Sequence, residues 1–107
     1  MISYDKFKEL FDAIPGEPEF KLYFNNTDDT YWIIKYENYV TFQKSSLDLE
    51  EQKENKYSSL DELYNSTLVD DICLKNDWNK ISDIVIDDSM SIIDNKDDIE
   101  DAYNINI

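Results

Sequence analysis

Carboxylates are the side chains with which this sequence could do chemistry. Its 107 residues include 25 Asp or Glu and 10 basic residues, all of them Lys, and the chain has no Arg and no His. Two carboxylates can hydrolyse a glycosidic bond, and a group of them can hold a divalent cation. At this acid content, however, a pair at catalytic distance arises from composition alone. The carboxylates therefore predict no particular reaction.

Other catalytic classes lack a required residue. Without His there is no imidazole base to activate Cys73, which is the single cysteine and can form neither an intrachain disulfide nor a Cys-rich zinc site. The single glycine, Gly16, excludes a phosphate-binding P-loop and a dinucleotide-binding GxGxxG turn. We therefore expect a protein that is not an enzyme and uses no cofactor.

The acids between Asp94 and Glu100 alternate along the chain in the manner of calcium ligands. An EF-hand loop that starts at Asp94 needs Gly at the position of Ile99 and a bidentate Glu at the position of Ile105. Neither requirement is met, so we expect no metal site.

The first part of the chain predicts a helix followed by a β-meander. Apolar residues three and four apart predict a helix over residues 3–14, within an N-terminal segment 1–15, with Ser3 as its N-cap. Pro15-Gly16 ends this helix. Residues 19–44 alternate in polarity and predict a three-stranded antiparallel sheet.

The turn between the second and third strands decides which side chains are buried. A three-residue loop, Glu37–Tyr39, pairs Tyr36 with Val40, and we prefer it to a two-residue loop because it gathers the apolar side chains on one face. The predicted buried face contains Trp32, Ile34, Tyr36, Val40, Phe42, Phe20, Leu22 and Phe24. The opposite face then presents Tyr23, Tyr31 and Ile33, either as a sheet face covered by later elements or as a partner-binding surface.

The remainder of the chain predicts short helices and one more strand. Residues 45–56 are polar and predict an acidic loop or a short exposed helix, and residues 57–81 predict helices that begin with a Ser59–Glu62 capping box. Residues 82–107 predict a strand and an acidic tail that forms a helix, a final strand or a frayed end. We expect a single α+β domain over residues 1–107, with an antiparallel sheet of three or more strands and helices packed on it.

The net charge of −15 is concentrated at the C-terminal end. Residues 81–107 contain eight acids and one lysine, and concentrated like charge opposes folding. The excess serves solubility alone, or it forms a surface that takes the place of phosphates on a positive partner. The predicted partner-binding residues are Asp83, Asp87, Asp88, Asp94, Asp97, Asp98, Glu100 and Asp101.

Residues 57–86, with the segment SLDEL followed by Leu74, Trp78, Ile81 and an isoleucine-rich strand, resemble small proteins of phages and mobile elements in low-G+C Gram-positive bacteria. The size, acidity and α+β layout are similar to those of anti-CRISPR proteins and other phage inhibitors. The resemblance implies a cytoplasmic inhibitor that occupies the DNA-binding surface of a nuclease without performing chemistry.

Two alternative functions remain open from the sequence. The first is an immunity protein that neutralises a toxin, and the second is an adaptor that binds a protein through Tyr23, Tyr31 and Ile33. The acidity argues against direct binding of nucleic acid, and no segment has the length and apolarity of a membrane span or a signal peptide. We expect a basic protein, a nuclease or another nucleic-acid-binding protein, as the partner.

Overall fold

A computed structural model describes residues 1–45 and 55–107 of the chain. The helices are α1 (Tyr4–Ala13), α2 (Leu60–Asn65), α3 (Leu74–Asp77) and α4 (Lys96–Tyr103). The strands are β1 (Glu19–Phe24), β2 (Thr30–Lys35), β3 (Val40–Lys44), β4 (Lys56–Tyr57), β5 (Ile81–Ile86) and β6 (Met90–Ser91). In the described residues the strands form one antiparallel sheet in the order β4-β3-β2-β1-β5-β6. The predicted α+β class is confirmed, and β5 extends the meander beside β1.

Helix α1 forms as its sequence predicts. The Ser3 hydroxyl accepts a hydrogen bond from the Lys6 backbone N–H (3.2 Å), which satisfies one of the free donors at the start of the helix. The buried side chains Phe7, Leu10 and Phe11 lie three and four residues apart and form one stripe. This stripe packs on the sheet, where the ring of Phe7 contacts that of Phe20 in β1 at a centroid distance of 5.2 Å.

The predicted register between β2 and β3 is wrong. The Tyr36 N–H donates to the Tyr39 carbonyl (2.9 Å), so the turn contains two residues, and Ile33 rather than Ile34 lies opposite Phe42. A shift of one residue exchanges the faces of a strand. The buried face therefore contains Tyr31, Ile33, Val40, Phe42, Phe20, Leu22 and Phe24, while Trp32, Ile34 and Tyr36 have the opposite parity.

Lys35 shows why the buried face tolerates this register. It follows Tyr31 and Ile33 on the side of the sheet that faces α1, and its ammonium group donates to the carbonyls of Phe11 (2.7 Å) and Ile14 (2.9 Å). These carbonyls belong to the last turn of α1 and the residue after it, which have no partner within the helix. The lysine is thus buried along its stem and satisfied at its end.

The segments after β3 agree with the prediction in part. Most of the predicted acidic loop, residues 46–54, lies outside the described residues, and Lys56 belongs to a strand that we did not predict. Ser59 is the N-cap of α2 as predicted, and its hydroxyl accepts from the Glu62 N–H (3.1 Å), but the reciprocal half of the predicted capping box does not form. The carboxylate of Glu62 reaches back to Ser58 rather than to Ser59. The final segment, for which three conformations were open, forms helix α4.

None of the helices in the described parts of the chain combines the length and apolarity that crossing a bilayer requires. The longest, α1, has ten residues.

Candidate functional site

The predicted acidic surface is built on β5, the β5–β6 turn and α4. Helix α4 is anchored by Ile99, whose side chain is completely buried and whose N–H donates to the Asn95 carbonyl (3.0 Å). Asp97 and Asp98 lie in its first turn, where negative charge interacts favourably with the helix dipole. The helix ends at Asn104, which adopts the left-handed conformation (φ 54°) that commonly closes a helix.

Three aspartates lie on the outer side of this helix, and a fourth lies just before it. Asp97 and Asp98 precede Asp101 by four and three residues, which places these three on the side of the helix opposite Ile99. Asp94 lies in the turn that precedes the N-cap residue Asn95. All four are exposed, and no hydrogen bond or ion pair joins their carboxylates to another described residue. At roughly 1.5 Å of rise per residue the three helical aspartates span roughly 6 Å. We call these four residues the α4 stripe.

The other predicted acids differ in whether their carboxylates accept hydrogen bonds from the protein itself. Asp83 is half-buried and binds its own loop: Oδ1 accepts from the Ile84 N–H (2.8 Å), and Oδ2 accepts from the Ser91 hydroxyl (2.5 Å). Asp87 accepts from the Glu19 N–H (2.9 Å), and Glu100 accepts from the Ile107 N–H (3.0 Å). These three acids fix backbone segments. Asp88 is exposed at the tip of the β5–β6 turn and is available to a partner together with the α4 stripe.

The alternative partner-binding face does not form as predicted. Tyr31 is 2% exposed and Ile33 is completely buried, because the shorter turn moves both side chains onto the face that α1 covers. Only Tyr23 of the predicted three is exposed (36%). The sheet face opposite the one that α1 covers carries Tyr23 beside Lys21 and Trp32 instead.

A polar cleft of about 460 Å³, which was not predicted from the sequence, lies at the end of the sheet where β1 finishes and β2 begins. Its central group is Asp70, which accepts hydrogen bonds from the Tyr31 hydroxyl (2.5 Å) and the Lys44 ammonium (3.0 Å). The hydrogen bond from Tyr31, followed by that from Lys44, lowers the pKa of Asp70. Burial raises the pKa of Tyr31 above its usual range, and the hydrogen bond to Asp70 adds to this.

A second carboxylate of the cleft is held in the same manner. Asp77 accepts from the Cys73 backbone N–H (3.0 Å) and from the Lys80 ammonium (3.0 Å), and these contacts lower its pKa. The main charges in this cleft are therefore paired with each other. The sequence signal for it was the Asp70-Asp71 pair, since both residues adopt positive φ (59° each) in a tight turn.

No group of three or more acidic or cysteine side chains in residues 1–45 and 55–107 has the arrangement of a metal site. The Cys73 sulfur lies 4.0 Å from the Tyr64 carbonyl and has no basic partner in that part of the chain. Among the predicted partner-binding acids, the exposed carboxylates without a hydrogen bond or ion pair to another described residue are those of Asp88 and the α4 stripe.

Comparison of the chain with protein-family models, curated proteins and solved structures finds no match.

Proposed function

We propose that the protein binds a basic surface of a nucleic-acid-binding protein through the α4 stripe and thereby excludes the nucleic acid. The observation that carries this proposal is the exposure of Asp97, Asp98 and Asp101 on the side of α4 opposite the buried Ile99, together with the exposed Asp94 in the turn before the helix. Binding of this type needs no chemical step. A nuclease, including a CRISPR effector, is the most specific version, and it follows from the similarity in size, acidity and α+β layout to anti-CRISPR proteins described above.

The charge distribution supports this proposal physically. Four carboxylates without lysine partners repel each other, and a helix gains nothing from that repulsion. A partner surface lined with Lys and Arg removes the repulsion, and complementary charge accelerates association and selects the partner. Nucleic-acid-binding proteins carry such surfaces because they must contact phosphates.

The test begins with capture of partners from a host lysate on the immobilised protein, followed by elution with rising salt. The retained protein is identified, purified and bound to labelled DNA, and the acidic protein is added as a competitor. We expect it to displace the DNA. Replacement of the four stripe aspartates by Asn should weaken this competition at least about tenfold, equivalent to about 1.4 kcal/mol, and should reduce its dependence on salt.

A matched control separates position from total charge. Asp12, Glu17, Asp28 and Glu37 are exposed acids outside the C-terminal segment, and their replacement by the corresponding amides changes the net charge by the same amount. We expect this control variant to compete with DNA as well as the unchanged protein does. Equal weakening of both variants would assign the effect to net charge and overturn the role of the stripe.

The immunity-protein version uses the same surface with a toxin as the partner. It is distinguished by co-expression: the unchanged protein would protect cells from the toxin, and the stripe variant would not.

A further inference from the structure

Two exposed apolar side chains lie together near the start of the α4 stripe. Among the described residues, the large hydrophobic side chains with the highest exposure are Met1, Tyr23 (36%) and Ile93 (54%). Tyr23 pairs with Asp83 across β1 and β5, and the Ile93 N–H lies 3.4 Å from Asp83 Oδ1. Tyr23 and Ile93 therefore lie on either side of Asp83. We call them the Tyr23–Ile93 patch.

Tyr23 lies on the sheet face opposite the one that α1 covers, and Ile93 lies in the turn after β6. Lys21 and Trp32 are neighbours on this face, and the Lys21 ammonium lies 5.6 Å from the centre of the Tyr23 ring and 5.2 Å from that of Trp32. On the other side, Ile93 is followed directly by Asp94, the first residue of the stripe. The surface thus passes from an apolar area, with one lysine at its far side, to a row of free carboxylates.

We propose that the Tyr23–Ile93 patch and the α4 stripe form one docking surface for an amphipathic basic segment of a protein. In this arrangement, apolar side chains of the segment pack against Tyr23 and Ile93, and its Lys or Arg side chains contact the stripe. This rests on the proposed function, which it narrows from a basic surface to a segment with both basic and apolar residues.

Tight binding that survives physiological salt requires both the ion pairs of the stripe and the apolar contacts of the patch. Exposed ion pairs contribute about 0–1 kcal/mol each and weaken with salt, so a stripe alone gives fast but salt-sensitive binding. A buried apolar anchor supplies affinity that salt does not remove. Isolated exposed hydrophobic residues need no explanation, but Tyr23 and Ile93 are separated only by Asp83 and adjoin the unpaired charge.

Two synthetic helical peptides of equal charge provide the probes. One carries Lys and Ser, and the other carries Lys with Leu along one side. We expect the Lys/Leu peptide to bind at least about tenfold more tightly at roughly 0.15 M salt. Ile93→Ser and Tyr23→Ser should each reduce this preference, whereas Ile93→Val should keep it. Both side chains are exposed, and melting temperatures verify that the variants remain folded.

Lys21, which lies beside the patch, provides a test of whether the occupant is positively or negatively charged. If the occupant is basic, Lys21→Met removes a repulsion and tightens binding of the Lys/Leu peptide. A matched variant at the exposed Lys75 of α3 controls for net charge and should have a smaller effect. Weaker binding by Lys21→Met, or tight binding of single-stranded DNA that Lys21→Met abolishes, would assign an anionic occupant and overturn the proposal.

The outcomes separate this inference from the proposed function. If the stripe variant loses competition with DNA while Ile93→Ser and Tyr23→Ser have no effect on either peptide, the proposed function stands and this inference is wrong. If the peptide results appear as expected but the captured partner does not bind nucleic acid, the docking surface stands and the proposed function is wrong.

Discussion

Asp70 and Tyr31 show how single residues take roles that composition cannot reveal. Asp70 is one of 25 acids, and its position in a left-handed turn brings its carboxylate to the hydroxyl of a tyrosine that is otherwise buried. Tyr31 was a candidate for an alternative partner-binding face, but it links the core to the turn that carries Asp70. The hydroxyl and the carboxylate become neighbours only through the tertiary fold, because 39 residues separate them in sequence.

We expect Tyr31→Phe to reduce the free energy of unfolding by about 1 kcal/mol at pH 7, the usual contribution of one hydrogen bond. The pKa of Asp70 is lowered in the folded state, so its contribution is complete above the unfolded pKa of about 3.9 and is lost as the pH falls below it. The difference between the variant and the unchanged protein should therefore shrink towards pH 2. Urea unfolding at several pH values measures it.

Tyr23→Phe provides the control for this experiment, because Tyr23 is exposed and its hydroxyl makes no hydrogen bond to another described residue. An equal loss of stability in both variants would contradict the role of the Tyr31–Asp70 contact.

Among the elements, those with strong local signals were predicted well. The apolar spacing and Ser3 cap of α1, the Ser59 cap of α2 and the alternation of β1 to β3 each contain their own information. The register of β2 and β3 had no such local signal. Four consecutive residues of β2 are apolar or aromatic, so either face of the strand could be the buried one: Tyr31, Trp32, Ile33 and Ile34. The face is decided by α1, which accepts the Lys35 ammonium at its last carbonyls, and no local pattern records this contact.

We expect Lys35→Met to destabilise the protein by about 1.5–3 kcal/mol, because the helix carbonyls lose a charged donor and the favourable charge near the C-terminus of α1. Met retains most of the apolar stem, so the change tests the ammonium rather than the packing. Lys75→Met is the control, since Lys75 is exposed. Chemical denaturation compares the two variants, and equal midpoints would show that the Lys35 contacts with Phe11 and Ile14 contribute nothing.

The β5–β6 turn has a left-handed backbone at which glycine should be more stable than alanine. Asp87 and Asp88 both have positive φ (51° and 58°), and the Ser89 N–H donates to the Ile86 carbonyl (3.0 Å). This geometry favours glycine at the second position. We expect Asp88→Gly to be more stable than Asp88→Ala by about 1 kcal/mol, because only Ala strains the left-handed backbone. Thermal melts measure the difference, and an Ala variant as stable as the Gly variant would contradict the turn geometry.

At the scale of the whole molecule, composition predicted an acidic C-terminal surface but not which acids are free in it. Asp83, Asp87 and Glu100 each accept a hydrogen bond from a backbone N–H group. The partner of Asp83 is the next residue, whereas the partners of Asp87 and Glu100 lie in other segments of the chain. Their partners depend on how β1, β6 and the C-terminal residues pack together. The spacing alone predicts that the stripe aspartates within α4 share one side, provided that the segment is known to form a helix.

The net charge of −15 predicts how the stability of the molecule responds to salt. Like charges one helical turn apart in water repel by about 0.7 kcal/mol per pair, and salt screens this repulsion. We therefore expect the melting temperature at pH 7 to rise with added NaCl. The variant with four Asn in the α4 stripe and the control variant with four amides elsewhere have the same net charge. The rise in melting temperature should be smaller for the stripe variant, because it has lost the repulsion that salt would screen. Equal rises would place the repulsion outside the stripe.

Acid should first relieve this repulsion and then remove specific contacts. Protonation of carboxylates below about pH 5 makes the net charge less negative, which reduces the repulsion and stabilises the folded state. The pKa values of Asp61, Asp70 and Asp77 are lowered by their hydrogen bonds, so the stability that they contribute is present above about pH 4 and is lost as the pH falls further. We therefore expect maximum stability between about pH 4 and pH 6, measured by urea unfolding. A decline that begins directly below pH 7 would show that paired carboxylates outweigh the repulsion of the free ones.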